Sequence, residues 1–434
     1  SASFREIIKK DKVVVQKIQV MNGEWKVLAL ENCLDALIDY RGKTPEKTKF
    51  GIPLITAKII KGGRIEKPTE FIAKNNYDSW MRRGLPKAGD VVLTVEAPLG
   101  EVAQLGAEKI ALAQRVVTLR GKSGLLDNTF LLYLLQTDEI QEKLKARATG
   151  TTVLGIKQSE LRKVLLNIPP FEFQVNAAAI LKNIDDRITL LRETNKTLEA
   201  IAQALFKSWF IDFDPVRAKM ENKIPEGMDE ETAALFPDSL EESELGMIPK
   251  GWKVSTVGDF FILLMGQSPP GNTYNENENG LPFYQGCTDF GFRFPMKRIY
   301  CSEPARIAEI GDTLVSVRAP VGDVNMAIEK CCIGRGVASV RHGEDYRSFT
   351  FYLMRSLSKR FDNFDSEGTI FGSITKKDFQ SLPVISPSLS TLVAYDEISK
   401  PIDDRIIQNE QKIRTLANLR DTLLPRLISG QIRV

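Results

Sequence analysis

Histidine and cysteine, on which many catalytic and metal sites depend, are scarce in this sequence of 434 residues. The single histidine, His342, lies in a polar stretch typical of a turn. A cluster of histidine ligands is therefore excluded, and catalysis by a serine–histidine or cysteine–histidine pair would depend on this one residue. The five cysteines form no Cys-x-x-Cys pair, and their odd number argues against a disulfide framework. We expect a protein of a reducing compartment, the cytoplasm.

Long apolar runs and nucleotide-binding motifs are also missing. No segment reaches the ~18 apolar residues that span a bilayer, and the first residues lack the basic-then-apolar profile of a signal peptide. No Gly-x-Gly-x-x-Gly follows a predicted strand and no Walker sequence occurs, so no pocket for a nucleotide or S-adenosylmethionine is indicated. The string 167–171 (Asn-Ile-Pro-Pro-Phe) differs by an extra residue from the Asn-Pro-Pro-aromatic loop of DNA amino-methyltransferases. We expect neither a cofactor nor a metal in this chain.

A large excess of either charge is absent, since the formal net charge is only +3. The average hides unlike regions: residues 41–87 are rich in lysine and arginine, whereas residues 221–244 are rich in carboxylates. Basic patches of this kind can bind phosphate locally. A solvated surface of mixed charge is the alternative interpretation.

The second half of the chain repeats the first. Ile184-Asp185-Asp186-Arg187 recurs 218 residues later as Ile402-Asp403-Asp404-Arg405. Three further pairs of strings match: Gly89-Asp90 with Gly311-Asp312, Ala97-Pro98-Leu99-Gly100 with Ala319-Pro320-Val321-Gly322, and Gly150-Thr151 with Gly368-Thr369. Between these strings the two halves differ. A duplicated frame with divergent loops predicts one scaffold that presents two different surfaces.

Each copy ends in a long helix with apolar residues at heptad spacing. In the first copy the two rows are Ile184, Leu191, Leu198, Leu205 and Leu181, Ile188, Asn195, Ala202, Trp209; in the second they are Ile402, Asn409, Leu416, Leu423 and Ser399, Ile406, Ile413, Arg420, Leu427. We expect the helices to pair as an antiparallel coiled coil, with Asn195 and Asn409 fixing its register. Pro401 suits the first turn of the second helix, and Pro425 should kink or break its last turn.

The segments before the helices have the pattern of mixed α/β domains. Strands are predicted at Val91–Val95, Arg115–Leu119 and Leu165–Ile168, and a helix at Asp127–Lys145 with Asp127 as N-cap. The counterparts in the second copy are strands at Thr313–Val317 and Gly336–Val340, and a helix around Ser348–Asp362.

The predicted fold class is α+β, with two similar α/β domains separated by two long helices and a pseudo-twofold internal repeat. The predicted bounds are an N-terminal segment 1–22, a first domain 23–171, a central helix 172–212, an acidic linker 213–250, a second domain 251–388 and a C-terminal helix 389–434.

The divergent loops hold the candidate binding residues. Arginine, lysine, glutamine and hydroxyl side chains can contact base edges or phosphates. The candidates are Arg41, Lys43, Thr44, Lys58, Lys61, Arg64, Thr151 and Lys157 in the first copy, and Gln267, Ser268, Tyr284, Gln285, Arg293, Arg298, Thr369 and Lys376 in the second. Thr151 and Thr369 are the candidate phosphate contacts. Two domains on a rigid strut could reach two short DNA sites about one helical turn (~34–36 Å) apart.

Several strings are specific enough to indicate a family. They are Lys207-Ser208-Trp209-Phe210-Ile211-Asp212-Phe213-Asp214-Pro215, Leu235-Phe236-Pro237-Asp238-Ser239, Ser243-Glu244-Leu245-Gly246-Met247-Ile248-Pro249-Lys250-Gly251-Trp252, and the closing helix from Ile402 to Gly430. With these strings the chain resembles, over essentially its full length, the DNA specificity subunit of type I restriction–modification systems.

The resemblance implies two target recognition domains that each recognise half of an asymmetric bipartite site in double-stranded DNA, and paired helices that set the spacer length. It also implies two modification (methyltransferase) subunits and restriction (motor-nuclease) subunits as partners, which would hold S-adenosylmethionine, ATP and Mg²⁺. The chain itself would be non-catalytic and cytoplasmic. Two alternatives are a stand-alone DNA methyltransferase or nuclease of unusual sequence, and a coiled-coil adaptor without DNA contact.

Overall fold

A computed structural model describes residues 25–42, 44–150, 152–358, 360–361 and 372–434. The predicted segment 1–22 and the candidates Lys43, Thr151 and Thr369 lie outside the described residues. The chain divides into two compact units, the first made of Ser1–Leu190 with Ile413–Val434 and the second of Leu191–Lys412. The two divisions fall inside the long helices, so each unit contains part of both.

The first domain combines short strands with short helices. Its strands are β1 (Lys26–Ala29), β2 (Leu34–Asp39), β3 (Ile52–Ile55), β4 (Ile60–Lys61), β5 (Arg64–Ile65), β6 (Phe71–Ile72), β7 (Val91–Val95), β8 (Leu99–Gln104), β9 (Ala111–Leu112), β10 (Val116–Gly121) and β11 (Leu165–Ile168). Its helices are α1 (Tyr77–Trp80), α2 (Asn128–Gln136), α3 (Asp138–Ala146) and α4 (Gln158–Arg162). The first long helix, α5, spans Phe171–Phe210.

The second unit repeats this order after an additional segment. Its strands are β12 (Leu240–Ser243), β13 (Gly246–Pro249), β14 (Lys253–Thr256), β15 (Phe261–Met265), β16 (Tyr274–Asn275), β17 (Leu281–Tyr284), β18 (Tyr300–Cys301), β19 (Ile307–Ala308), β20 (Thr313–Ser316), β21 (Val324–Met326), β22 (Cys331–Ile333), β23 (Val337–His342) and β24 (Pro383–Ser386). Its helices are α6 (Asp214–Met220), α7 (Glu230–Ala234), α8 (Val257–Phe260), α9 (Arg347–Ser356), α10 (Lys376–Ser381) and the second long helix α11 (Leu389–Ile428).

Equivalent sheets occur in the two domains. A four-stranded sheet has the order β2-β10-β7-β8 in the first and β15-β23-β20-β21 in the second. A smaller sheet is built on a parallel pair, β3 with β9 in the first domain and β17 with β22 in the second. The first and last strands of each domain also pair, as β1–β11 and β14–β24. The duplication in the sequence is therefore a duplication of topology.

Strand β7 shows how side-chain alternation separates two cores in the first domain. Val91, Leu93 and Val95 pack in one cluster with α2 and the long helices, whereas Val92 packs in another with β3 and β9. Because successive side chains of a strand point to opposite faces, one four-stranded sheet covers both clusters. The smaller sheet therefore lies on the face opposite the long helices.

The repeated Gly-Asp string has the same structural role in both domains. The buried carboxylate of Asp90 accepts hydrogen bonds from the Lys87 backbone N–H and from Arg120 on β10, at 2.8 Å each. Its counterpart Asp312 accepts from the Glu309 N–H at 2.9 Å and from Arg341 on β23. Each carboxylate is paired as a buried charge must be.

The helix predicted at Asp127–Lys145 is two helices. Asp127 is the N-cap, since its side chain accepts from the Phe130 N–H at 2.8 Å. The extended backbone of Thr137 (φ −68°, ψ 145°) ends α2 and begins α3. The helical residues on both sides of Thr137 continue the same apolar pattern, so periodicity alone did not show the break.

The segment 213–250, predicted to be an acidic linker, is folded. It contains α6, α7 and the β12–β13 hairpin, and its residues Val216, Phe236 and Ile248 are buried. Phe236 makes an edge-to-face contact with Trp209 of α5, with ring centroids 5.0 Å apart. The charged residues occupy the exposed positions between these apolar contacts, which explains the linker-like composition.

The long helices pair antiparallel within each unit. In the first unit Asp185 of α5 accepts from Arg420 of α11 at 2.8 Å; in the second, Asn195 of α5 pairs with Asn409, and Phe206 packs on Tyr395. One heptad row of α5 is buried throughout: Leu181, Ile188, Asn195, Ala202 and Trp209. The predicted antiparallel coiled coil is confirmed.

The expectation that Pro401 lies in the first turn of the second helix is wrong. Helix α11 begins at Leu389, and Pro401 is an exposed interior residue. The buried residues Leu392, Tyr395 and Ser399 extend the apolar seam upstream of it. This packing offsets the ~3 kcal/mol that an interior proline costs. Pro425 lies in the last turn, and the helix continues to Ile428.

Candidate nucleic-acid interface

The parallel strand pair of the first domain ends in a concave surface of about 260 Å³. The hydroxyl of Thr44 donates to the Gln114 Oε1 at 2.8 Å, and Gln114 follows the end of β9 by two residues. The exposed Lys58 follows β3. The surface is lined by Thr44, Pro45, Lys47, Thr56, Ala57, Lys58, Glu70, Ala97, Ala113, Gln114 and Arg115. It brings together two predicted binding residues, Thr44 and Lys58.

The equivalent strand pair of the second domain ends in a concave surface of about 430 Å³. The Gln285 Nε2 donates to the Ser268 hydroxyl at 2.9 Å, and the Nε of Arg335 donates to the same oxygen at 3.1 Å. Arg298 is 63% exposed and donates to Asp289 at 2.9 Å. The surface is lined by Ser268, Pro269, Tyr274, Phe283, Gln285, Asp289, Arg298, Ile299 and Arg335. Three predicted residues, Ser268, Gln285 and Arg298, meet here.

Other candidates of the first domain are engaged within the protein. The Arg41 guanidinium binds the Asp39 carboxylate (2.7 Å) and the Ile156 carbonyl (2.7 Å). Lys61 pairs with Glu66 at 3.3 Å on an exposed surface, where such a pair contributes ~0–1 kcal/mol and leaves the amine available.

Arg64 is oriented toward the long helices. Burial lowers the pKa of Arg64, and the charge of Asp185 acts in the opposite direction. Asp185 is hydrogen-bonded to the Tyr133 hydroxyl at 2.8 Å. The surroundings of Arg64 are thus the helix pair rather than the concave surface of Thr44.

The prediction that Arg293 contacts DNA is wrong. Its side chain is 1% exposed, with Nη1 2.8 Å from the Glu199 carboxylate and Nη2 2.5 Å from that of Asp403. The guanidinium also stacks on the Phe351 ring, 3.5 Å from its centroid. Burial alone would lower the pKa of Arg293. The Asp403 carboxylate and the other groups around the guanidinium outweigh burial and raise the pKa. Arg293 therefore holds the second domain to both long helices.

The prediction for Tyr284 is also wrong, because its side chain belongs to a core. Tyr284 is 2% exposed and packs with Ala308, Leu314 and Ile333. It is the last residue of β17, so its side chain points inward and that of the next residue, Gln285, points outward.

Three remaining candidates are exposed and lie outside both concave surfaces: Lys157, Gln267 and Lys376. The backbone N–H of Gln267 donates to the Ile333 carbonyl at 3.0 Å, which fixes the chain beside β22. The structure does not assign a contact to the exposed side chains of these residues.

Gln114 and Arg335 were missed by the sequence analysis. The signal in the sequence was a further repeated string, since Gly42-Lys43-Thr44-Pro45 matches Gly266-Gln267-Ser268-Pro269. The hydroxyl residue of each string contacts the side chain two residues beyond β9 or β22. Because Gln114 and Arg335 differ chemically, no identity between the copies marked them.

The aspartate pairs of the repeated Ile-Asp-Asp-Arg string contact the protein. Asp185 binds Tyr133 and Arg420, and Asp403 binds Arg293 and the Ser348 hydroxyl. No group of three or more metal-binding side chains occurs among the residues that the structure describes. Over the same residues, no helix is long and apolar enough to cross a membrane.

Comparison with known proteins identifies the family. Residues 22–200 and 249–418 match the type I restriction modification DNA specificity domain. The chain is 28% identical to the type I restriction enzyme MjaIX specificity subunit of Methanocaldococcus jannaschii, over 91% of this chain and 90% of that protein. It is 27% identical to the HindI specificity subunit of Haemophilus influenzae, over 70% of this chain and 77% of that protein.

A crystal structure of a type I restriction–modification S subunit from M. genitalium has the same fold. The TM-score is 0.59 at 19% identity, covering 93% of this chain and 96% of that one. With two matched copies of the domain, relatives similar over most of their length and this common fold, the chain belongs to the family of type I restriction–modification DNA specificity subunits.

Proposed function

We propose that this chain recognises an asymmetric bipartite site in double-stranded DNA, with each domain recognising one half. The observation that carries the proposal is the pair of concave surfaces at equivalent ends of the two parallel strand pairs. Thr44, Lys58 and Gln114 form one, whereas Ser268, Gln285 and Arg335 form the other. Because equivalent positions on the two surfaces carry different hydrogen-bonding groups, we expect the two half-sites to differ in sequence.

The long helices would set the distance between the half-sites. Each has 40 residues and continues from one compact unit into the other. At ~1.5 Å per residue such a helix is about 60 Å long, more than one turn of DNA. Because side chains along both helices are buried against each other, the helix pair should act as a rigid spacer of constant length.

The chain would leave catalysis to its partners. Two modification subunits would dock on the helices and hold S-adenosylmethionine, and restriction subunits would use ATP and Mg²⁺. In support, the relatives are named specificity subunits of restriction enzymes, and the sequence carries no methyltransferase or ATPase motif. We place the complex in the cytoplasm.

The test is to combine the chain with its modification subunits, methylate genomic DNA and map the methylated adenines. We expect one motif with two unlike halves and an unread spacer of fixed length. A contiguous motif, or the same methylation without this chain, would contradict the proposal. S-adenosylmethionine binding or DNA cleavage by the isolated chain would favour a stand-alone enzyme. Lack of salt-dependent binding to duplex DNA, alone or with the partners, would favour an adaptor.

A further inference from the structure

We propose that Gln114 in the first domain and Arg335 in the second are the side chains that contact base edges, each held in place by a hydroxyl group. The inference rests on the proposed function and deepens it, because it assigns one base contact to each half-site.

Strand register makes the two residues equivalent. In the first domain Leu54 and Ile55 of β3 pair with Ala111 and Leu112 of β9. In the second, Phe283 and Tyr284 of β17 pair with Cys332 and Ile333 of β22. Gln114 and Arg335 each stand two residues beyond the last paired residue of their strand. Each thus leaves the same edge of the smaller sheet, on the surface lined by its loops.

The hydroxyl groups come from the same repeated string. Thr44 and Ser268 are third in Gly-Lys-Thr-Pro and Gly-Gln-Ser-Pro, which follow the equivalent strands β2 and β15. Pro45 and Pro269 are both buried. A buried proline with a fixed φ restrains the backbone beside the hydroxyl residue. The duplicated scaffold therefore places one hydroxyl group beside the side chain that differs between the two domains, Gln114 in the first and Arg335 in the second.

In the first domain the hydrogen bond leaves the amide of Gln114 able to bind. The Thr44 hydroxyl donates to the Gln114 Oε1 at 2.8 Å. This bond occupies one of the two lone pairs of the carbonyl oxygen. The Gln114 Nε2 donates to no atom of the described residues. One acceptor site and the amide donors therefore remain, which is the pattern that binds N6 and N7 of adenine.

In the second domain a hydrogen bond fixes one edge of the Arg335 guanidinium. Its Nε donates to the Ser268 oxygen at 3.1 Å, and Ser268 is also bonded to Gln285 at 2.9 Å. The residue is exposed, and its terminal nitrogens pair with no carboxylate of the residues that the structure describes. Two parallel donors therefore remain, which is the arrangement that binds O6 and N7 of guanine.

Arg293 and Arg335 contrast sharply within the same domain. Arg293 is 1% exposed with its terminal nitrogens on two carboxylates, whereas Arg335 is an exposed residue that pairs with no carboxylate of the described residues. A side chain held at one end and open at the other is preorganised, because less rotamer entropy is lost on binding. The geometry assigns an A·T pair to Gln114 and a G·C pair to Arg335, in different half-sites.

The experiment uses the complete complex with its modification subunits. Methylation rates are measured on duplexes in which every position of the mapped site is changed in turn, for the wild type and for Arg335→Ala and Gln114→Ala. For Arg335→Ala we expect discrimination at one G·C pair to fall by about 10- to 100-fold. Gln114→Ala should do the same at one A·T pair of the other half-site. In each variant the unaffected half-site is the internal control for folding.

Two conservative variants separate base contact from charge and structure. Arg335→Lys keeps the charge but loses the two parallel donors, so it should also relax the G·C position. Thr44→Ser keeps the hydroxyl and should retain discrimination, whereas Thr44→Val should weaken it at the same pair as Gln114→Ala. Unchanged discrimination, or a uniform loss at every position as for a phosphate contact, would overturn the inference. A wild-type complex without a two-part site would overturn the proposed function instead.

Discussion

Arg293 shows how a loop arginine can be a structural residue. It contacts Glu199 of α5 and Asp403 of α11, 94 and 110 residues away in the chain. The Tyr352 hydroxyl accepts from the same guanidinium at 2.9 Å, and Ser348 donates to the other oxygen of Asp403. A buried charge network of this kind is stable only when every charge is paired.

Replacing Arg293 by alanine should destabilise the protein severely. The buried Asp403 carboxylate would lose its ion-pair partner and Glu199 would keep only its pair with Arg355, which costs about 3–5 kcal/mol of the free energy of unfolding. Urea unfolding of the variant measures the loss. The matched control is Arg298→Ala, since the side chain of Arg298 is 63% exposed and its pair with Asp289 should contribute under ~1 kcal/mol. Equal losses in the two variants would contradict the assigned role of Arg293.

His342 gives the stability a specific pH dependence. It is buried beside Phe260 and Tyr346, with ring centroids 5.0 Å away in both cases, and its Nδ1 accepts from the Glu344 N–H. Burial lowers the pKa of His342 below 6.5, while the Glu344 charge opposes the shift. Because the unfolded state then binds the proton more readily, the contribution of His342 is present above pH 6.5 and is lost as the pH falls below it.

His342→Asn should therefore remove the part of the pH dependence of stability that appears as the pH falls below 6.5. Asparagine keeps an acceptor for the Glu344 N–H without titrating in this range. The slope due to this residue is at most about 1.4 kcal/mol per pH unit. Urea unfolding at several pH values measures it, and the imidazole signals of the only histidine in the sequence report its titration directly. A titration midpoint above 6.5 would contradict the burial argument.

At the scale of elements, the long helices combine an apolar seam with one polar pair. The Asn409 Nδ2 donates to the Asn195 Oδ1 at 2.8 Å, and the Asn195 Nδ2 donates to Glu410 at 2.8 Å. Both asparagines are essentially buried. A shift of either helix by one heptad would leave both amides facing apolar side chains, so the pair disfavours other registers. Its role in fixing the register stays a prediction.

A double-mutant cycle tests that prediction. Asn409→Leu alone leaves the buried Asn195 Oδ1 without its donor, and should cost about 1–3 kcal/mol. In Asn195→Leu with Asn409→Leu, both polar groups are gone and part of the loss should be recovered. We expect a coupling energy of about 0.5–3 kcal/mol from urea unfolding. Additive losses would show that the two asparagines act independently.

At the scale of the molecule, the duplication places an equivalent concave surface on each domain, while both helices continue from one unit into the other. One frame could thus serve many targets, because loop side chains such as Gln114 and Arg335 can change while the helices stay the same. The spacing of the target would then depend on the helices alone.

Insertion of seven residues into both long helices should lengthen the preferred DNA spacer. A heptad adds about 10 Å to a helix, close to the rise of three base pairs. Methylation of duplexes with graded spacers measures the new optimum. Insertion into α5 alone is the control, since it misaligns Asn195 and Asn409 and should destabilise the protein. An unchanged optimum in the doubly lengthened variant would contradict the strut.

Local patterns were sufficient for much of the fold. Heptad spacing predicted the buried row from Leu181 to Trp209, and the repeated strings predicted two equivalent domains. Patterns failed where packing offset a local preference, as at Pro401 inside α11 and Thr137 between two helices. They failed again at the segment 213–250, where charged residues cover a small apolar core.

The sequence by itself determined the duplicated frame, the paired helices and the family, because heptad periodicity and repeated strings can be recognised from residues that are close together in the chain. Only the tertiary structure decided which polar side chains are available for DNA. Arg293 and Arg335 are the same amino acid in the same domain, yet one is buried on two carboxylates and the other is exposed beside Ser268. The burial of Arg293 depends on contacts with residues about a hundred positions away in the chain. A local sequence pattern contains no information about such contacts.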